Sequence, residues 1–134
     1  MEKAEFFRQH VPAKSLPAVV AFKWGLPALE EGFVPLPKKL LRCVGNIFQG
    51  PEAMERFAVT MAIADYLRPN LTRGPSREFL GFLCDLPVAR INMVLADLTA
   101  AGLVIASDTA AGELEVSLDG LLKRIEELTK EPAG

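Results

Sequence analysis

The side chains that could do covalent chemistry in this 134-residue chain are few and scattered. His10 is the only histidine and stands near the N-terminus, which leaves a His-based triad or a zinc cluster without its other members. Cys43 and Cys84 lie far apart, with no CxxC spacing and no neighbouring histidine, and read as small apolar residues kept reduced. Glu30-Glu31 and Glu126-Glu127 are acidic pairs expected on solvated helical faces. No HExxH, Walker or glycine-rich phosphate loop occurs. The residues therefore predict no enzyme, no cofactor and no metal.

Recognition chemistry has better support. In the segment 87–101, Ile91, Val94, Leu95 and Leu98 recur at helical spacing and form an inward stripe. The opposite face then carries Val88, Ala89, Arg90, Asn92, Met93, Ala96 and Asp97. Of these, Arg90 and Asn92 have the donors that read base edges or hold phosphates. Arg68, Arg73 and Arg77 gather around the start of the preceding helix, whose backbone N–H groups would assist. Lys38, Lys39 and Arg42 make a second basic group. If both groups share a face, about four to seven phosphate contacts would sustain moderate DNA binding. Each group also reads simply as a solvated helix end. The apolar members Val88, Ala89, Met93 and Ala96 would form a compact patch of the kind that marks protein contacts. Alternatively, they pack on the N-terminal segment or the C-terminal helix.

The elements that must position these residues are marked by punctuation and periodicity. Residues 1–14 suggest a short helix or loosely held arm, and residues 15–32 helical pieces interrupted by Pro17, Gly25 and Pro27. Residues 32–37 should be extended, with Pro37 opening a helix through Lys38, Leu40, Leu41, Val44 and Ile47. Gly50-Pro51-Glu52 predicts a helix from Pro51 to Arg68, glycine at the cap, stopping before Pro69. That helix is apolar nearly all round, which predicts a central position between the N-terminal segment and the next two helices, or partial burial in a dimer.

After a turn-rich connector, Ser76 should cap a helix that buries Phe79, Leu80, Phe82 and Leu83. A break at Asp85-Leu86-Pro87 precedes the helix Pro87–Ala101, with Gly102 as its left-handed terminator. Leu103-Val104-Ile105 reads as a strand, Asp108 to Gly112 as a hairpin loop and Glu113 to Val116 as the returning strand. Ser117 to Lys130 closes the chain as an amphipathic helix with Leu118, Leu121, Leu122, Ile125 and Leu128 on one face.

Composition is that of a globular chain, 50% hydrophobic and 24% charged, which argues against disorder. No apolar run approaches the roughly 20 residues of a membrane span, and the N-terminus lacks a signal-peptide core. A cytoplasmic protein is expected, so the sequon at Asn70-Leu71-Thr72 is a chance match. The net charge of −2 gives no global attraction to nucleic acid, so any such binding needs a local basic patch.

Helix, helix, turn, helix, strand, loop, strand is the order of the winged helix-turn-helix family. The chain resembles that family over about residues 50–118, through Leu83, Leu86, Ile91, Leu95, Leu98 and Gly102-Leu103-Val104. Gly32-Phe33-Val34-Pro35-Leu36-Pro37 before Leu40-Leu41 is also similar to the lead-in of winged-helix domains in bacterial replication initiators and DnaD-like proteins.

The resemblance implies a mainly α fold with a small β-hairpin. It divides the chain into an N-terminal helical extension (1–49), the winged helix-turn-helix (50–118) and a C-terminal helix and tail (119–134). It also implies double-stranded DNA as partner, with helix 87–101 in the major groove and residues 107–112 as wing. Arg90 and Asn92 would enter the groove, and Arg68, Arg73 and Arg77 would hold phosphates.

Several positions depart from the family pattern. Asp85 stands where the family usually has glycine, and Asp tolerates the left-handed conformation better than most residues. Pro87 replaces a Ser or Thr cap, and Met93 a residue that is often basic or polar. The wing, Ser107 to Glu113, holds two acids and no Lys or Arg, and would repel phosphate. Two functions are therefore expected. One is DNA-associated control of transcription or replication. The other is a protein-interaction module that uses Val88, Ala89, Met93 and Ala96 to bind a polymerase or replisome component, or to form a homodimer.

Overall fold

The computed structural model describes residues 36–67, 74–108 and 114–130. Among them it is mainly helical, with one two-stranded antiparallel sheet. The order is α1 (Lys38–Ile47), α2 (Ala53–Tyr66), α3 (Arg77–Cys84), α4 (Val88–Ala100), β1 (Ile105–Asp108), β2 (Leu114–Ser117) and α5 (Asp119–Thr129). The expectations for residues 1–35, the connector 68–73 and the hairpin tip 109–113 lie outside the described residues.

The prolines expected as first helical residues stand one position earlier. Pro37 (φ −62°, ψ 139°) and Pro87 (φ −65°, ψ 153°) are extended N-caps. Their rings fix φ but not ψ, and their carbonyls already accept the first helical bonds, from Leu40 and Leu41 and from Arg90 and Ile91. Pro51 does not open α2 either. Gly50 sits at φ +91° and its carbonyl accepts the Ala53 N–H at 3.2 Å, so Pro51 and Glu52 form the middle of a turn. At its other end α2 stops at Tyr66 rather than Arg68, because Leu67 becomes extended (ψ 131°) and packs on the core. Among the described residues this helix buries Val59, Thr60 and Ile63 against the core, packs on α3 and α4 and, through Phe57, on Phe48, and leaves Met54 77% exposed.

Local chemistry sets the α3–α4 corner. Ser76 Oγ accepts the Phe79 N–H at 3.0 Å, the expected cap. Asp85 adopts the left-handed conformation (φ 56°, ψ 42°), and the Leu86 N–H donates back to the Gly81 carbonyl. A Cβ on Gly81 would lie 2.6 Å from the Leu86 carbonyl oxygen, so glycine is what lets the turn close on α3. Leu80 and Gly81 are the buried residues here; Phe82, expected inside, is exposed, and its ring tilts beside Phe79. The axes of α3 and α4 meet at 102°. Ile91, Val94, Leu95 and Leu98 are all buried, as their spacing predicts.

Helix α4 ends in a Schellman cap around Gly102 (φ +73°). Gly102 donates to the Thr99 carbonyl and Leu103 to the Leu98 carbonyl, while Leu98 and Leu103 are both buried. This cap displaces the expected strand. The Leu103 and Val104 N–H groups both go to Leu98, and the Leu103 carbonyl accepts from Leu121, so pairing starts only at Ile105. The register Ile105↔Ser117, Ala106↔Val116, Ser107↔Glu115, Asp108↔Leu114 brings Asp108 into β1, opposite Leu114.

Ser117 belongs to β2, so α5 starts at Asp119. A Cβ on Gly120 would lie 1.9 Å from the Gly102 carbonyl oxygen, so this glycine permits the close approach of α5 to the end of α4. The inward stripe of α5 is Leu121, Ile125 and Thr129, flanked by Leu118 and Leu128, while Leu122 is exposed at its edge. Thr129 can take a buried place because its hydroxyl donates to the Ile125 carbonyl at 2.7 Å. Helix α5 packs on α1, and Leu40, Cys43, Leu121 and Ile125 join the α4 stripe in one core. The described residues from Leu36 onward cluster as one compact unit. Among the described residues no single helix is long and apolar enough to cross a membrane.

Candidate functional site

Helix α4 presents an open outer face: Val88, Ala89, Asn92, Met93, Ala96 and Asp97 are all exposed. The Schellman cap and the buried stripe beneath fix which residues point out, so this part of the expected site is assembled as the spacing requires. Met93 is 53% exposed, and Ala89 and Ala96 lie one helical turn away on either side along the same face.

Arg90 behaves differently from the rest of that face. Its Nη2 donates to Glu52 Oε1 at 2.8 Å and its Nε to Glu55 Oε2 at 2.5 Å. Both carboxylates belong to the start of α2, so the guanidinium forks across the gap between α2 and α4. Hydrogen bonds to Glu52 and then Glu55 push the Arg90 pKa further up, and the Arg90 hydrogen bond with its charge holds the Glu52 carboxyl below its ordinary 4.5. Arg90 Nη1 also approaches Met93 Sδ at 3.7 Å. Arg56 also lies close enough to Glu52 to help lower its pKa, so Arg90 is satisfied within a cluster of charges of both signs.

Arg77, at the first turn of α3, is likewise paired. Its Nη1 lies 2.5 Å from Asp108 Oδ1 on β1, tying α3 to the hairpin. Asp108, which the sequence places in the wing as an acid facing phosphate, is instead held by an arginine expected to hold phosphate. Arg68 and Arg73 lie outside the described residues. Asn92 is exposed, and its side chain makes no hydrogen bond among the described residues.

The second basic group is built on other elements. Lys38, Lys39 and Arg42 are exposed on α1, and α5 brings Lys123 and Lys130 beside the last two. A cleft of about 460 Å³ runs between these helices. The α1 members are visible as a cluster in the sequence, but their partners on α5 are not, since nothing local links the two helices.

Glu52 and Glu55 are likewise not recognisable from the sequence as Arg90's partners. Their spacing of three does place them on one side of a helix start. Glu55 and the arginine it faces are 35 residues apart. Among the described residues no three His, Cys, Asp or Glu side chains gather as metal ligands. No family model, curated protein or solved structure matches the chain.

Proposed function

We propose that this chain is a non-enzymatic winged helix-turn-helix module that docks a second copy of itself through the outer face of α4. The winged-helix reading is supported by the 102° corner between α3 and α4, within the range of helix-turn-helix pairs, and by the hairpin after α4. The docking reading is carried by one observation: the outer face of α4 is exposed and largely apolar, while its only arginine is already held by Glu52 and Glu55.

On α4 a duplex would meet an arginine already held by two carboxylates, and Asp97 about two turns further along the helix. A second α4 meets Met93 flanked by Ala89 and Ala96, small enough for two helices to approach closely. The same stripe on both copies is what an isologous contact requires. Methionine adapts its shape to such a contact. Sedimentation equilibrium of the full chain across the micromolar range tests this. Self-association weakened at least about tenfold by Met93→Asp, ~1.4 kcal/mol, with an unchanged circular dichroism spectrum, is the expected result. A chain that stays monomeric throughout overturns the reading.

The second reading is DNA-associated control of transcription or replication. It is favoured by Asn92, exposed in mid-helix with an amide suited to pair bidentately with adenine. Loss of sequence preference in duplex binding on Asn92→Ala would support it. Duplex binding without any sequence preference in the unaltered chain would remove it.

A further inference from the structure

We propose that the cleft between α1 and α5 is a phosphate-binding surface for duplex DNA, on a face distinct from α4. This goes beyond the docking reading and rests on different residues. Lys39 and Arg42 line one wall, and Lys123 and Lys130 the other. All four are exposed, and none has an ion-pair partner among the described residues. Glu126 and Glu127 share the cleft, but Glu127 is paired with Arg124 at 3.5 Å. Among the described residues that line the cleft, four cations stand against two acids. The formal net charge of the chain is −2, so the positive charge here runs against the overall balance.

The chemistry of the cleft selects the ligand. Among the described residues no aromatic ring lines it to stack a free base or nucleotide. Its cations are exposed, which suits a ligand that sums several solvated contacts. Lys123 on α5 and Lys130 at its C-cap are about two turns apart, ~10 Å, roughly the rise of three phosphates along one strand. Duplex DNA also releases condensed counterions on binding, a gain that an acidic peptide of lower charge density does not supply. Phosphates lying along the cleft would meet the α1 cations on one side and the α5 cations on the other, with Glu126 opposing them.

The test uses the full chain, a labelled generic duplex and fluorescence anisotropy over a series of salt concentrations. Binding at low salt with a log–log slope of about −3 to −4, for about four phosphates, is expected. Arg42→Glu with Lys123→Glu should weaken it more than tenfold and flatten the slope, while Met93→Asp leaves it unchanged. Glu126→Gln should tighten binding about twofold, a gain that loss of folding cannot produce. No binding at micromolar protein in low salt overturns the proposal. So does binding that ignores the cleft variants but falls with Arg90→Ala, or capture of phosphatidylserine vesicles without capture of DNA. Because Met93→Asp addresses only α4, failure of the docking reading and failure of this one are distinguishable.

Discussion

The outer face of α4 and the cleft between α1 and α5 both carry basic residues, yet they differ in what those residues are free to do. On α4, Arg90 is held by Glu52 and Glu55, and next door Arg77 is held by Asp108. In the cleft, Lys39, Arg42, Lys123 and Lys130 have no such partners among the described residues. Arg90 sits on the helix that the family resemblance sends into the major groove; the cleft lies on helices that the resemblance leaves idle. A count of cations along the chain therefore does not show which of them remain unpaired. What matters is which carboxylates the fold brings within about 4 Å of each cation, where opposite charges satisfy one another.

Three perturbations would break or sharpen this contrast. The largest effect belongs to Leu98→Ala, because Leu98 is fully buried and anchors the end of α4. A loss of about 2–5 kcal/mol is expected in urea unfolding. Both surfaces should fail together, since α4 and the α1–α5 pair share one core. Separate unfolding transitions would show that they do not.

Gly120→Ala comes next. Its Cβ would overlap the Gly102 carbonyl, so α5 must shift, at about 1–3 kcal/mol. The shift should widen the cleft and weaken duplex binding while leaving self-association through α4 in place. Equal damage to both would mean that the two faces are not separable.

The smallest effect is electrostatic. Replacing Glu52 and Glu55 by Gln releases Arg90 and should make α4 resemble the cleft, steepening the salt dependence of duplex binding by about one phosphate. The same pair predicts a pH dependence. The folded pKa of Glu52 lies below its ordinary 4.5, so its contribution is present above that value and is lost as pH falls below it through the folded pKa. Melting temperatures followed downward from neutral pH should therefore drop further for the unaltered chain than for Glu52→Gln. Parallel curves would show that the pair contributes nothing to stability.

Much of the fold is legible in the sequence because its signals are local. Ser76 announces a cap, Asp85 and Gly102 occupy left-handed positions, and Ile91, Val94, Leu95 and Leu98 recur with the period of a helix. Expectation and structure part where distant groups compete for the same backbone or the same space. Leu103 and Val104 have the composition of a strand, but their N–H groups are taken by the Schellman cap. Phe82 reads as core, yet Gly81 takes the inner position beside the turn. Leu122 reads as core, yet Thr129 occupies the stripe because its hydroxyl finds a carbonyl one turn back. Of the expected DNA-contacting residues, the outward placement of Asn92 is a consequence of periodicity, whereas the pairing of Arg77 and Arg90 is not.

By itself the sequence determined where α1 to α5 lie, to within two residues at their ends, and which stripe of α4 turns inward. Those properties depend on φ, ψ and side-chain preferences over a few consecutive residues. Only the tertiary structure decided which charges remain available. Arg90 meets Glu55 across 35 residues and Arg77 meets Asp108 across 31, while α1 and α5, from opposite ends of the described chain, line a single cleft. Coulomb attraction depends on distance through space, and separation along the chain does not specify it.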